Sequence, residues 1–467
     1  MKEWSSAALA LVALLGCQTD RPERSNTTEP ADPHKAVQPA PAETPPAPPA
    51  AVPPAPEAPA ASFVPLSRPK EPLNVILLSV ESWRADMPWL GYARAIAPNL
   101  AHLAAESSVW ENHRSLSSHT PQALAALLSG RYVSSLHRDG AALTSFSADA
   151  TFLPELLQAK GIRTIGVQAN SYFDKGRGFE QGFDVWEIAA GAASGLATGA
   201  QSTADKQAAR VIELLGQPQN TAKQFFVWAH FMDPDAEYLP HPEAPDFGKQ
   251  PRDRYDAEVF FTDLWIGKIL EFARHQSWWQ RTAVIVTGDH GEAFGEHGLS
   301  KHAGDLWDVL LQTPLIIHSP GAKPERVQAA RSQLDLAPTV VELMGLPRVS
   351  QLQGQSLVPE LYGATAAARP VLLFELCEDS ENPGLRALIA GDDKLIVATA
   401  FAGAERFFNL KSDPGELHDL SEKQVGRLQQ LAVRFEREWG RVESVEPHGG
   451  MKLRSGRLAG GSEPQGR

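Results

Sequence analysis

Five short, largely apolar runs constrain this chain more than any other feature: NVILLSV (74–80), GIRTIGVQAN (161–170), QFFVWAH (224–230), TAVIVTG (282–288) and TPLIIHS (313–319). They have strand length but little polar alternation, so each needs cover on both faces. Between them lie helical patterns: APNLAHLAAES, TPQALAALLSG, TFLPELLQAK, ADKQAARVIELLG, the stretch from Glu258 to Phe272, and LDLAPTVVELMG. Strands alternating with helices over this length predict an α/β fold, a central mostly parallel sheet flanked by helices. In such sheets ligand sites gather at the carboxyl ends of the strands.

The flanks are different in kind. Residues 1–16 carry an apolar run, Ala7 to Leu15, too short to span a bilayer and suited to an export signal. Leu14, Leu15, Gly16 and Cys17 resemble a bacterial lipoprotein lipobox, which implies cleavage after residue 16 and lipidation of Cys17. With Gln18 next, that resemblance places the protein outside the cytoplasm, lipid-anchored in the cell envelope and in the outer membrane. Residues 17–70 are dominated by Pro, Ala and Glu and predict a disordered tether, because they cannot bury enough apolar area to offset their ordering entropy. The main domain is expected over 71–360. A smaller unit over 361–441 reads as an antiparallel sheet (VLLFEL, RALIAGDDKLIVATA, ERFFNL) plus a helix from Lys423 to Trp439, and 442–467 as a loose tail. The net charge of −13, with no Arg/Lys stripe before the last residues, excludes a general nucleic-acid binder. The one other cysteine, Cys377, has no disulfide partner if Cys17 is acylated and reads as a buried small hydrophobe.

Two strands run into groups that hold cations. NVILLSV ends at Glu81, and TAVIVTG ends at Asp289 and His290, which open the loop GDHGEAFGEHGLSKHAG. A carboxylate at one strand end and an Asp-His pair at another supply oxygen and nitrogen ligands for one divalent cation, Mn²⁺, Ca²⁺, Zn²⁺ or Mg²⁺. The loop adds glycines at 288, 291, 295 and 298, and Glu292, Glu296, His297 and His302. In SSHTPQALAALLSGR (117–131), Thr120 reads as the N-cap of a helix that begins at Pro121 and stops at Gly130. The same hydroxyl is open to two further readings, a metal or substrate ligand and a nucleophile.

NVILLSVESWRAD, the helix ending in LLSGR, HFMDPDAEY, GDHGEAFGEHG, LDLAPTVVELMGLP with GQSL, and FFNLKSDPGELHDL together resemble the sulfatase family within the alkaline phosphatase superfamily, in order from Asn74 to about Leu420. The resemblance implies an alkaline phosphatase-like fold and a single metal site made by Glu81, Asp289, His290 and the nucleophile. It puts the nucleophile at Thr120. Arylsulfatases carry Cys or Ser there in C-x-P-S-R; this chain has Thr120, Pro121, Gln122, Ala123 and Leu124, and Glu81-Ser82 where they have adjacent aspartates. In these respects it resembles the phosphoglycerol and phosphoethanolamine transferases of bacterial envelopes, with His302 in the place of their loop histidine.

The expected reaction is therefore hydrolysis or transfer of a phosphate or sulfate ester, with phosphorus chemistry favoured over an arylsulfatase-like reaction. Thr120 is the expected nucleophile and His302 the proton donor. Arg84, His119, His230, Asp235, His241 and His297 are the candidate substrate contacts, on a small-molecule, glycan or lipid-headgroup ester. Arg84 is open to pairing with Asp86 instead, and Asp235 to being a turn residue after Pro234. The alternative to catalysis is a silent family member that binds a glycan or lipid headgroup in the same cleft.

Overall fold

The computed structural model describes residues 69–189, 202–235, 237–399 and 405–448. The lipobox with Cys17, almost the whole predicted tether and the end of the tail lie outside them. Among the described residues of the main domain run ten strands: β1 (Asn74–Val80), β2 (Ser108–Trp110), β3 (His113–Arg114), β4 (Arg163–Gln168), β5 (Val185–Ile188), β6 (Phe225–Phe231), β7 (Thr282–Gly288), β8 (Leu315–His318), β9 (Arg326–Val327) and β10 (Arg331–Ser332). Eight of them form one sheet in the order β5-β4-β6-β1-β7-β8-β2-β9, while β3 and β10 pair apart. The pairings around β1 are parallel, and β8 runs antiparallel to both β7 and β2, so the sheet is mixed.

The absence of polar alternation in the central strands has the predicted cause. Val75, Leu77, Phe226, Trp228, Ala283 and Ile285 face one core, packed against Leu124, Leu127 and Leu128 of the helix Thr120–Ser129 and Val340 of the helix Leu336–Leu343. Ile76, Leu78, Val80, Val227, Ala229, Val284 and Val286 face the other, under the helices Pro98–Ala105, Ala204–Leu215 and Pro251–Arg274. The last helix starts seven residues before the predicted Glu258. Its first two turns, PRDRYDA, carry no apolar period and are held by a capping box between Gln250 and Asp253. Among the described residues no helix is long and apolar enough to cross a membrane.

The smaller unit is the expected antiparallel sheet, β11 (Leu372–Leu376), β12 (Leu385–Ala390), β13 (Asp393–Ala398) and β14 (Glu405–Asn409), followed by the helix Val425–Trp439. One face, with Phe374, Ile396 and Phe408, packs on Leu306 and Leu311 of the main domain; the other, with Leu388, Leu395 and Phe407, takes Leu431, Phe435 and Trp439 of the helix. Two contacts lock β11 to the segment around Thr120. The Glu375 N–H donates to the Leu116 carbonyl (3.0 Å), and the buried Gln122 amide exchanges two hydrogen bonds with the Cys377 backbone (2.8 and 3.0 Å). Cys377 is buried, as expected, and burial pushes its thiol up to about 12.

Candidate active site

The order β6-β1-β7 sets three strand ends side by side. Glu81 follows β1, Asp289 and His290 follow β7, and His230 lies near the end of β6 opposite Ser79. All four are buried. Gly291 makes the turn after His290 possible, because a Cβ there would lie 2.1 Å from the Val309 carbonyl oxygen.

Thr120 meets these groups from the start of the helix Thr120–Ser129. The expectation that it caps its helix is corrected: the N-cap is His119, Thr120 is the first helical residue, and no side chain caps this end. Its hydroxyl instead donates to Glu81 Oε1 (2.6 Å) and lies 3.0 Å from His290 Nε2. Gly130 closes the helix in the left-handed region (φ 62°), as predicted.

The hydrogen bonds fix which atoms are free. A carbonyl only accepts, so the 2.9 Å contact between His290 Nδ1 and the Gly291 carbonyl puts the proton on Nδ1. In the neutral ring Nε2 is then a bare lone pair, 3.2 Å from Glu81 Oε1. Beneath it, Trp228 Nε1–H donates to Ser79 Oγ (2.9 Å), Ser79 meets His230 Nδ1 (2.9 Å), and His230 Nε2 meets Glu81 Oε2 (2.9 Å). A relay from Trp228 to Glu81 satisfies every donor, so His230 supports Glu81 from below and does not line the substrate side. Burial alone would raise the Glu81 carboxyl, but the bond from His230 holds it well below the usual range.

Asp289 is the misfit that a cation would resolve. Its Oδ1 accepts the N–H groups of Ser82 (3.0 Å) and His290 (2.7 Å), while Oδ2 is buried with no hydrogen-bond partner, 3.4 Å from His290 Nε2. Burial, and then the charge of Glu81, push its carboxyl well above the usual range. A divalent cation among Glu81, Asp289, His290 and Thr120 fits this set. It would take the unpartnered oxygen and the bare nitrogen and offset two adjacent carboxylates.

His302 forms the adjoining wall, its ring 4.5 Å from that of His290. Its Nδ1 meets Ser82 Oγ (3.0 Å) and Glu292 Oε2 (3.4 Å). Burial would lower its pKa, but Glu292, with Asp235 and Glu81 beyond, pushes it up to about 9. Asp235 places a carboxylate oxygen within 4.8 Å of ligand atoms of both Glu292 and His302. On the other side, His119 lies 3.6 Å from Asp379 and 3.4 Å from Asn382, and burial drives it down to about 4 despite Asp379. Asp379 and Asn382 follow β11, so the small unit supplies part of this wall; sequence reading missed them, although a strand end running into acids was the available signal.

Besides His230, three expected substrate contacts are corrected, Arg84 in favour of its alternative pairing with Asp86. Arg84 donates to both Asp86 oxygens (3.1 Å), to Glu296 (2.9 Å) and to the Glu292 carbonyl (2.6 Å), which makes it a brace for the loop after β7. His241 is buried in a pair with Glu258 (2.7 Å) and stacked on Phe261. His297 stacks on Trp307, ring centroids 3.7 Å apart. Arg84 and His241 are thus held in ion pairs, and His297 in a ring stack.

Comparison with known proteins agrees with this fold. The Sulfatase family profile matches residues 73–346, and the profile described as N-sulphoglucosamine sulphohydrolase, C-terminal, matches residues 295–441. An uncharacterized sulfatase of Escherichia coli (strain K12) is 29% identical over 191 residues, 40% of this chain and 37% of that protein. A choline-sulfatase of Rhizobium meliloti (strain 1021) is 28% identical over 188 residues, 40% of this chain and 36% of its own. This chain thus aligns with well under half the length of these relatives. In fold it is similar to a phosphonate monoester hydrolase of Agrobacterium radiobacter (TM-score 0.66, 18% identity, 79% of this chain and 96% of that one). It is also similar to a protein solved with its substrate D-glucosamine-2-N,6-O-disulfate (TM-score 0.65, 17% identity, 80% and 99%). With its profile match spanning more than half of the chain and its fold shared along both units, this protein belongs to the sulfatase family.

Proposed function

We propose that the protein is a metal-dependent hydrolase or transferase of phosphate or sulfate esters in which Thr120 is the nucleophile. The observation that carries this is the Thr120 hydroxyl, set between Glu81 Oε1 and His290 Nε2 beside the unpartnered Asp289 oxygen. A divalent cation bound there would supply positive charge that lowers the cost of deprotonating Thr120 and of gathering charge on the ester's non-bridging oxygens.

The residues then divide the reaction. As Thr120 Oγ1 forms its bond to phosphorus or sulfur, its proton moves to Glu81 Oε1, to which it is already hydrogen-bonded. As the bond from that centre to the leaving oxygen breaks, that oxygen takes a proton from His302. Water, or an acceptor alcohol, next attacks the Thr120 ester, giving its proton to His302, while the Thr120 oxygen departs and recovers its own. The start of the helix Thr120–Ser129 favours the negative charge, by roughly 0.3–2 kcal/mol. That is too little to activate a threonine unaided.

Phosphorus chemistry is the favoured branch, because a threonine side chain does not yield the formylglycine of arylsulfatases; the fold, shared with a phosphonate monoester hydrolase and with a protein solved with a disulfated glucosamine substrate, suits either branch. Asp235 and Glu292 line the His302 side and favour an ester whose alcohol bears a cationic group. The reading includes export and anchoring at Cys17, which rests on the residues Leu14 to Cys17 alone.

The test is a panel of phosphodiesters, phosphomonoesters, phosphonate monoesters and sulfate esters, zwitterionic ones included, assayed with each cation and with chelator. Metal-dependent turnover lost by at least about 10³-fold in Thr120→Ala is expected. Wild-type turnover in that variant contradicts the reading, and bound ester without turnover in the wild type favours a silent binding protein.

A further inference from the structure

Ser82, directly after Glu81, is one of four non-glycine residues among those described with positive φ, at 52°. A side chain with a Cβ disfavours that left-handed backbone, and such strain persists only where the surroundings over-determine it. Here three bonds do so. The Ser82 N–H donates to Asp289 Oδ1 (3.0 Å), its carbonyl accepts from the Tyr255 hydroxyl (2.9 Å), and its own hydroxyl meets His302 Nδ1 (3.0 Å). A second strained residue, Ala303 (φ 64°), follows His302, and its N–H donates to the Ser118 carbonyl (2.9 Å), two residues before Thr120. His302 is thus tied both to the segment carrying Glu81 and to the segment carrying the nucleophile. Glu292, whose carboxylate is buried and also accepts from the Tyr238 hydroxyl (3.1 Å), closes on the same ring nitrogen at 3.4 Å.

We infer that Ser82 and Glu292 are positioning residues for the proton donor: they hold His302 by Nδ1 and so dedicate Nε2 to the leaving oxygen. The inference rests on the role proposed for His302. Donor and acceptor roles agree with it. The Nδ1–H is shared between Ser82 Oγ and Glu292 Oε2, both able to accept, and the Nε2 proton passes to the leaving oxygen as its bond to phosphorus or sulfur breaks. The ring keeps its Nδ1 proton throughout, so Nε2 is the base that later takes the proton of the attacking water. The same position bears a second aspartate in the arylsulfatase pattern; a hydroxyl there cannot serve the cation as an acid would and is available to the histidine.

The experiment uses the full chain with its cation and two esters of the reactive class, one with a 4-nitrophenol leaving group and one with an alkyl alcohol. His302→Ala should lose about 10²–10³-fold in kcat/KM on the alkyl ester and under about 10-fold on the nitrophenyl ester, which needs little protonation. Ser82→Gly, Ser82→Ala and Glu292→Gln should each lose about 10-fold or more on the alkyl ester with the same selectivity. The effect should fall mainly in kcat. Ser82→Gly relaxes the backbone and Ser82→Ala does not, so equal losses in the two assign the effect to the hydroxyl, and the glycine variant serves if the alanine variant fails to fold. In the His302→Ala background the Ser82 change should cost nothing further. Losses in the Ser82 variants that are equal for both leaving groups would overturn the inference while leaving the role of His302 intact. No selectivity in His302→Ala would overturn both.

Discussion

Asp289→Asn is expected to stabilise the metal-free protein and to destabilise the metal-loaded one relative to wild type. In wild type Oδ1 already accepts two backbone N–H groups, and a carboxamide oxygen keeps both. The change falls on Oδ2, buried without a partner 3.4 Å from His290 Nε2. An NH₂ group there turns a repelled acceptor into a donor facing a bare nitrogen and removes a charge beside Glu81. Leaving a buried polar atom unsatisfied costs about 1–3 kcal/mol, so the metal-free variant should gain about that much, roughly 1–4 °C in Tm for a domain of this size. The wild-type protein should gain about 2.7 kcal/mol from a cation at a hundred times its Kd, an increment a carboxamide largely forfeits. The pH dependence follows from the sign of the shift. Asp289 is pushed above its unfolded value in the metal-free protein, so its contribution is present below that unfolded value and lost as pH rises through the folded one. The advantage of the variant should accordingly be smallest in acid and grow as pH rises toward and through the folded value of Asp289. Calorimetry in chelator and in each cation reads all of this. A variant that melts below wild type in chelator, or a wild type whose Tm ignores all four cations, would refute the reasoning.

Two further outcomes are expected. Burial pushes Glu258, paired with His241, up to about 7; its contribution is present below the ordinary Glu value and lost as pH rises through about 7. Glu258→Gln should therefore remove about 1 kcal/mol of the stability lost between about pH 6 and 8, as read from urea melts at each pH; an unchanged pH dependence contradicts this. Metabolic labelling with a fatty acid should mark the full chain expressed in a lipoprotein-processing host and should fail in Cys17→Ser, and equal labelling of the two would sink the proposed anchor.

The sequence made the centre of the fold legible because β1, β6 and β7 are buried on both faces, so their apolar runs have no competing pattern. The short strands β2, β5 and β9 have two to four residues and offer no period to detect. Glu81, Asp289 and His290 were readable because strand ends bring them together by topology, whereas Thr120 joined them only through the family resemblance. Side-chain partners were not. Whether His230 meets substrate or Glu81 depends on Ser79 and Trp228, both hidden inside strands, and Arg84 could be assigned only once Glu296 and Asp86 were seen on either side of it. The left-handed turn at Ser82 has no glycine to announce it, and Asp379 reaches the site from a unit whose docking rests on the Gln122 clamp.

The central claim is that Thr120 carries the transferred group. Wild-type protein loaded with its cation, mixed with excess ester and quenched in acid within a turnover, should show one added phosphoryl or sulfuryl group by intact mass, and fragmentation should place it on Thr120. High-resolution mass distinguishes phosphorus from sulfur in the same spectrum. A turning-over enzyme with no adduct at any quench time, or with the adduct on His302, His119 or another residue, would contradict the account.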